Sequence, residues 1–192
     1  MCKNSAKNAG LTLIELIVTI AIAGILVSIA IPSFNTTITS SRLTGYANDL
    51  VGALNLARSE AVKRGIQVTV SNNGAATHWE SGWIVFVDIN GNGINDAADA
   101  LCSTNNANGS PTEDCLLRTY PALLTGYTLT TGNSTYQNYA AFLSSGLSKS
   151  AAGDTFRLCN GTDVSTSLIV VINAVGRARI SPASSGNNPT CP

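Results

Sequence analysis

The chain has 192 residues, enough for one globular domain and an appendage. Charged residues make up 11% of it, with 11 Lys+Arg against 11 Asp+Glu, so no overall bias advertises nucleic acid or an acidic partner. The single histidine, His78, and a sequence without a Gly-x-Ser-x-Gly turn, a phosphate loop or a His/Cys/Glu metal cluster argue against an enzyme.

The first ten residues, MCKNSAKNAG, carry Lys3 and Lys7 and no acid. From Leu11 to Ile31 follow 21 residues whose only charge is Glu15. A helix of that length crosses the roughly 30 Å hydrocarbon core of a bilayer. The basic flank places the amino terminus in the cytoplasm and the rest outside, which in a bacterium is the periplasm. A secretory signal would have a shorter apolar region closed by a small-residue cleavage site on the far side. A carboxylate inside the span costs about 2.5 to 3.5 kcal/mol at the bilayer centre and less near an end, so Glu15 calls for a partner.

Beyond Pro32 the pattern changes. Ala47, Leu50, Val51, Leu54, Ala57 and Ala61 recur at three- and four-residue spacing, with Arg42, Asp49, Arg58 and Lys63 between them, which predicts an amphipathic helix ending near Gly65. Its apolar face requires a separate body to pack on. Short runs rich in Val, Ile, Tyr, Phe and Thr then read as strands: Gln67 to Ser71, Trp83 to Asp88, Leu116 to Tyr120, Tyr127 to Thr131, Ala140 to Leu143, Thr155 to Cys159, Ser167 to Ile172 and Arg177 to Ser181. Thr104 to Thr112 and Ser181 to Pro192 are polar and read as exposed loops or tails.

The segment Gly10-Leu11-Thr12-Leu13-Ile14-Glu15-Leu16 closely resembles the amino-terminal signal of type IV pilins and pseudopilins. The resemblance implies cleavage after Gly10 by prepilin peptidase on the cytoplasmic side, methylation of the new terminus at Leu11, and assembly in which Glu15 pairs with a neighbouring subunit's amino terminus. Leu11 stands where the family usually has Phe, which keeps the apolar character. Pro32 matches the family's helix-breaking position, where one missing N–H bends or locally melts the helix. Leu56-Ala57-Arg58-Ser59-Glu60-Ala61-Val62-Lys63-Arg64, Gly82-Trp83-Ile84-Val85-Phe86-Val87-Asp88 and Gly176-Arg177-Ala178-Arg179 are similar, more narrowly, to the GspH/FimT family of type IV minor pilins and type II secretion pseudopilins.

The fold this implies is α+β and pilin-like: a long amino-terminal helix, membrane-spanning in its first half, packed on a β-rich head of two sheets. The division is residues 1–10 as leader, 11–64 as helix with 11–31 transmembrane, and 65–192 as head. The implied function is a structural subunit of a type IV pilus or type II secretion filament, sited near the tip. Its partners are other major and minor pilins or pseudopilins, prepilin peptidase and inner-membrane lipid. It would be a single-pass inner-membrane protein with a periplasmic head until it assembles.

Loss of Cys2 with the leader leaves Cys102, Cys115, Cys159 and Cys191, an even number suited to two disulfides in an oxidising periplasm. Of the three possible pairings, Cys102 with Cys115 and Cys159 with Cys191 is favoured, because one closes a polar loop and the other ties down the carboxyl terminus. A four-thiolate zinc site lacks any Cys-x-x-Cys pair.

Two motifs in the head could carry chemistry. Asp88, Asn90, Asn92, the Ile94 carbonyl, Asp96 and Asp99 have the spacing of a calcium loop, with Gly93 allowing the sharp turn. The preferred reading is an Asn/Gly-rich turn between strands without a cofactor; a low-affinity calcium site is the alternative. Arg177 and Arg179, alternating along a strand, would present two guanidinium groups on one face, about 7 Å apart. FimT-like members of the family bind double-stranded DNA through this motif in natural transformation, whereas FimU-like members are structural tip subunits, so DNA uptake is the alternative function. Lys149 and Arg157 would enlarge the patch if the fold brought them close. Removal of Lys3 and Lys7 leaves nine basic residues against 11 acidic ones, a formal charge of minus two, so DNA binding by two arginines would be weak and salt-dependent.

Overall fold

The computed structural model describes residues 12–74, 76–96, 101–102, 113–132, 135–182 and 191. The chain forms two compact units divided between Ser40 and Ser41, inside one helix, α1 (Leu13–Arg64, 52 residues). In the first unit the apolar side chains lie exposed, from Leu13 at 76% to Ile29 at 67%, and this stretch is long and apolar enough to cross a membrane. Two of its hydroxyls are satisfied within the helix: Thr19 Oγ1 donates to the Leu16 carbonyl at 2.8 Å and Ser28 Oγ to that of Ile25 at 2.7 Å. A polar group in hydrocarbon needs such a partner. The helical backbone continues through Pro32.

The second unit begins with the rest of α1. Leu43, Ala47, Leu50, Leu54, Ala57 and Ala61, spaced alternately by four and three residues, are buried together with Ala53. They share one core with Val68, Val70, Val85 and Val87 from one sheet and Leu129, Phe156, Leu158, Val170 and Ile172 from the other. Alanine at four of these seven helix positions lets sheet side chains approach the helix backbone closely. The compact unit that starts at Ser41 thus includes the carboxyl-terminal part of α1 together with the strands. α1 ends where Gly65 takes φ +68°, its N–H bonded to the Ala61 carbonyl at 3.0 Å, a left-handed cap that favours glycine.

All eight expected strands form: β1 (Val68–Asn72), β2 (Trp83–Val87), β3 (Cys115–Tyr120), β4 (Tyr127–Thr131), β5 (Tyr139–Phe142), β6 (Asp154–Asn160), β7 (Asp163–Ile172) and β8 (Ala178–Pro182). They build two antiparallel sheets, ordered β3-β2-β1-β5 and β4-β6-β7-β8. A 3-10 turn, Trp79–Ser81, plugs the core with Trp79, whose indole N–H donates to the Tyr136 and Gln137 carbonyls at 3.1 and 3.2 Å. Disulfides join Cys102 to Cys115 and Cys159 to Cys191, with Cα separations of 4.8 and 5.9 Å.

Candidate functional site

At the amino-terminal end, Gly10 and Leu11 lie outside the described residues. Thr12 precedes the first helical residue, and its Oγ1 accepts the Glu15 backbone N–H at 3.3 Å. Thr12-x-x-Glu15 is therefore a helix-start signal within the apolar segment, one that a reading centred on charge overlooks. The Glu15 side chain is exposed at the first turn, where the helix dipole favours an anion.

The basic motif lies on the β7–β8 hairpin. The Gly176 N–H donates to the Asn173 carbonyl at 2.8 Å, the Arg177 N–H to Asn173 Oδ1 at 2.8 Å, and the Asn173 N–H to the Arg177 carbonyl at 3.0 Å. Gly176 has φ +80°, and a Cβ there would come within 2.9 Å of the Phe142 ring and 3.1 Å of the Ser148 nitrogen. Glycine is required both by conformation and by this close approach. Arg179 opposes Val171, and the ladder continues to Arg177, which gives both arginines the same strand parity. Both are exposed, and among the described residues neither has an ion pair.

Lys149 follows Ser148, so the fold does bring its segment beside Gly176. Its ammonium, however, donates to the Gly91 carbonyl at 2.6 Å, toward the loop after β2. Arg157 corrects the sequence expectation of a wider patch. It is 5% exposed, on the interior strand β6 between Thr130 of β4 and Ile169 of β7, and adds nothing to a surface cluster.

The loop after β2 is organised by carboxylates. Asp88 is fully buried, and its Oδ2 accepts from Gln67 Nε2 at 2.7 Å, Thr69 Oγ1 at 2.8 Å and the Gly93 N–H at 2.9 Å. Asn90 Oδ1 accepts the Asn92 N–H at 2.9 Å, and Asn92 Oδ1 accepts that of Ile94 at 2.7 Å. Both Asn side-chain amides donate to Asp96 Oδ2, at 2.6 and 2.9 Å. Asp114, which no sequence signal singled out, bonds the N–H groups of Ile89 and Asp96 at 2.9 and 3.1 Å. Asp99 lies outside the described residues. Among those described, no three His, Cys, Asp or Glu side chains converge as a metal cage.

His78 Nδ1 lies 2.7 Å from Glu80 Oε1, and Glu80 Oε2 accepts the Leu129 N–H at 3.3 Å, a structural clasp between the 3-10 turn and β4. At the end of α1, Glu60 accepts from Arg64 Nε at 2.6 Å and Lys63 Nζ at 3.3 Å. Burial pushes the Glu60 carboxyl up, but the hydrogen bonds and charges of Arg64 and Lys63 outweigh it and hold the group below the usual carboxylate range.

An apolar helix whose second half is packed among two antiparallel sheets defines a subunit of the pilin class. The sequence model of the type II transport protein GspH matches residues 46–176, and that of the prokaryotic N-terminal methylation motif matches residues 5–31. The chain belongs to the GspH family, whose members are structural pilins and pseudopilins rather than enzymes. Its fold is similar to crystal structures of the type IV minor pilin FimU of Pseudomonas aeruginosa. In one crystal form the TM-score is 0.55 at 20% identity, over 76% of this chain and 92% of that one. In a second form it is 0.53 at 20% identity, over 74% and 94%. A comparison with curated proteins found no match. The chain is thus a structural filament subunit, with an apolar helix and a methylation motif suited to membrane anchoring and assembly.

Proposed function

We propose that residues 11–31 hold this subunit in the bacterial inner membrane, with its amino terminus in the cytoplasm and its head in the periplasm. Prepilin peptidase then cuts after Gly10 and methylates Leu11, and the subunit enters a type IV pilus or type II secretion filament near the tip. The chain divides accordingly into leader 1–10, helix 11–64 and head 65–192. Other major and minor pilins are its partners, and Glu15 pairs with the amino terminus of a neighbour. The observation that carries this reading is the methylation motif over residues 5–31, laid on a helix whose apolar side chains have no partner in their own chain. A carboxylate on such a helix is stabilised by a cation from the next subunit. Coexpression with prepilin peptidase and mass spectrometry of the amino terminus is the test. Loss of residues 1–10 and one added methyl group are expected; an intact terminus sinks the reading.

The exposure of Arg177 and Arg179 without an ion pair among the described residues favours a second reading, capture of double-stranded DNA. The full chain in detergent should then bind DNA at low salt and release it at moderate salt. The double variant Arg177→Ala, Arg179→Ala should lose at least tenfold in affinity, since it removes both free guanidinium groups of the motif. Binding that is unchanged in the variant, or absent at low salt, leaves the structural role alone.

A further inference from the structure

We propose that the loop from Asp88 to Asp96 binds a calcium ion. Asp88 Oδ2 is crowded by three donors, yet its other oxygen, Oδ1, is shielded from solvent and has no hydrogen-bond partner. A buried carboxylate oxygen left bare is costly, and nature fills such a position with a donor or a cation. The Gly93 N–H reaches back to this carboxyl, so the intervening residues fold over it.

Charge points the same way. Asp88, Asp96 and Asp114 are stitched together through one loop, and among the described residues none of the three forms an ion pair. Lys149 meets this loop at the Gly91 carbonyl, 2.6 Å away, and forms no ion pair with the three carboxylates. A hard divalent cation would supply the missing positive charge, and oxygen donors at alternate positions suit it. Asn90 Oδ1 and Asn92 Oδ1 each accept one backbone N–H, which leaves a lone pair on each for a ligand. The Asn90 and Asn92 side chains donate through Nδ2 to Asp96 Oδ2, which keeps these three side chains together on the loop. The calcium set assigned here is Asp88, Asn90, Asn92, the Ile94 carbonyl and Asp96.

The frame around the loop is rigid. Val87 pairs with Cys115 at the end of β2, Asp114 holds the loop backbone at two points, and the Cys102–Cys115 disulfide anchors its far side to β3. Preorganisation of this kind lowers the entropic cost of binding. Two carboxylates with neutral amides predict the affinity of extracellular modules, a Kd on the order of 0.1 to 1 mM.

The test is calorimetry of the full chain in detergent, stripped with a chelator and titrated with calcium chloride, then with magnesium chloride. Saturable calcium heat is expected, with weaker heat from magnesium. Asp96→Asn and Asn92→Ala, both at exposed positions, should each weaken binding about tenfold while the chain still unfolds cooperatively in chelator. Terbium gives a second readout. A Cβ at Gly93 would meet the Tyr139 ring, so that ring lies against the loop and should sensitise terbium emission, which calcium displaces. No calcium heat up to about 10 mM, or equal affinity in wild type and both variants, overturns the site.

Discussion

Glu60 shows how a single ionisable group can be tied to folding. Arg64 and Lys63 hold its folded pKa below the ordinary value of 4.5 despite its burial. A carboxyl depressed in this way stabilises the fold above its unfolded pKa, and that contribution is lost as pH falls through 4.5 and below the folded value. Glu60→Gln should therefore cost up to about 1 kcal/mol near neutral pH, a small effect because Lys63 is largely solvated. The gap between variant and wild type should close in acid, as urea unfolding of the full chain at several pH values would show. At this scale the sequence expectation fails at Arg157, which does not join a surface patch, and the burial of Asp88 is not encoded locally either. Asp88 and Arg157 are residue types that normally face water, and their burial comes from strand neighbours that are far apart in the chain. Asp88 follows an inner strand, beside Gln67 and Thr69 of a neighbouring segment, and Arg157 stands between β4 and β7. No local signal encodes either placement.

Elements were far easier to read. The four-three spacing of Leu43, Ala47, Leu50, Leu54, Ala57 and Ala61 is a helix stripe, and all but Leu43 were recognised from spacing alone. Strands stood out because β-branched and aromatic runs alternate with Gly, Asn and Ser. β7 was read four residues short, at Ser167 instead of Asp163, because Asp163, Ser165 and Thr166 look like turn residues. The tight turn at Gly161, φ +57°, pairs Asn160 with Asp163 and extends the hairpin into that polar stretch. The alanines of the helix stripe have a mechanical meaning. Ala57 is fully buried in the shared core, and Ala57→Leu should overpack it, lowering stability by about 1 to 3 kcal/mol in denaturant unfolding. A tolerated leucine would show that the helix can move away from the sheets.

For the molecule as a whole, the class was legible because the amino-terminal signal and apolar span fall in one matched family model, and the head segments 56–64 and 82–88 fall in the other. The strand orders β3-β2-β1-β5 and β4-β6-β7-β8 were not, since they depend on long-range pairings that periodicity does not report. The Cys159–Cys191 bond links an interior strand of the second sheet to the end of the chain, across a sequence separation of 32. Replacing both cysteines with serine should cost about 3 to 4 kcal/mol if loop-closure entropy dominates. Thermal unfolding of that double variant against wild type, with and without reductant, measures it; reductant should lower the midpoint of the wild type alone if the other bond contributes little.

The Cys102–Cys115 bond has a different consequence, one of chain continuity. It bridges two residues 13 apart that flank the polar stretch 103–114. A protease that cut a peptide bond there would open the backbone without releasing a fragment. Both ends would stay covalently attached to the same β-sheet edge, so the subunit could be nicked and still enter a filament as one piece.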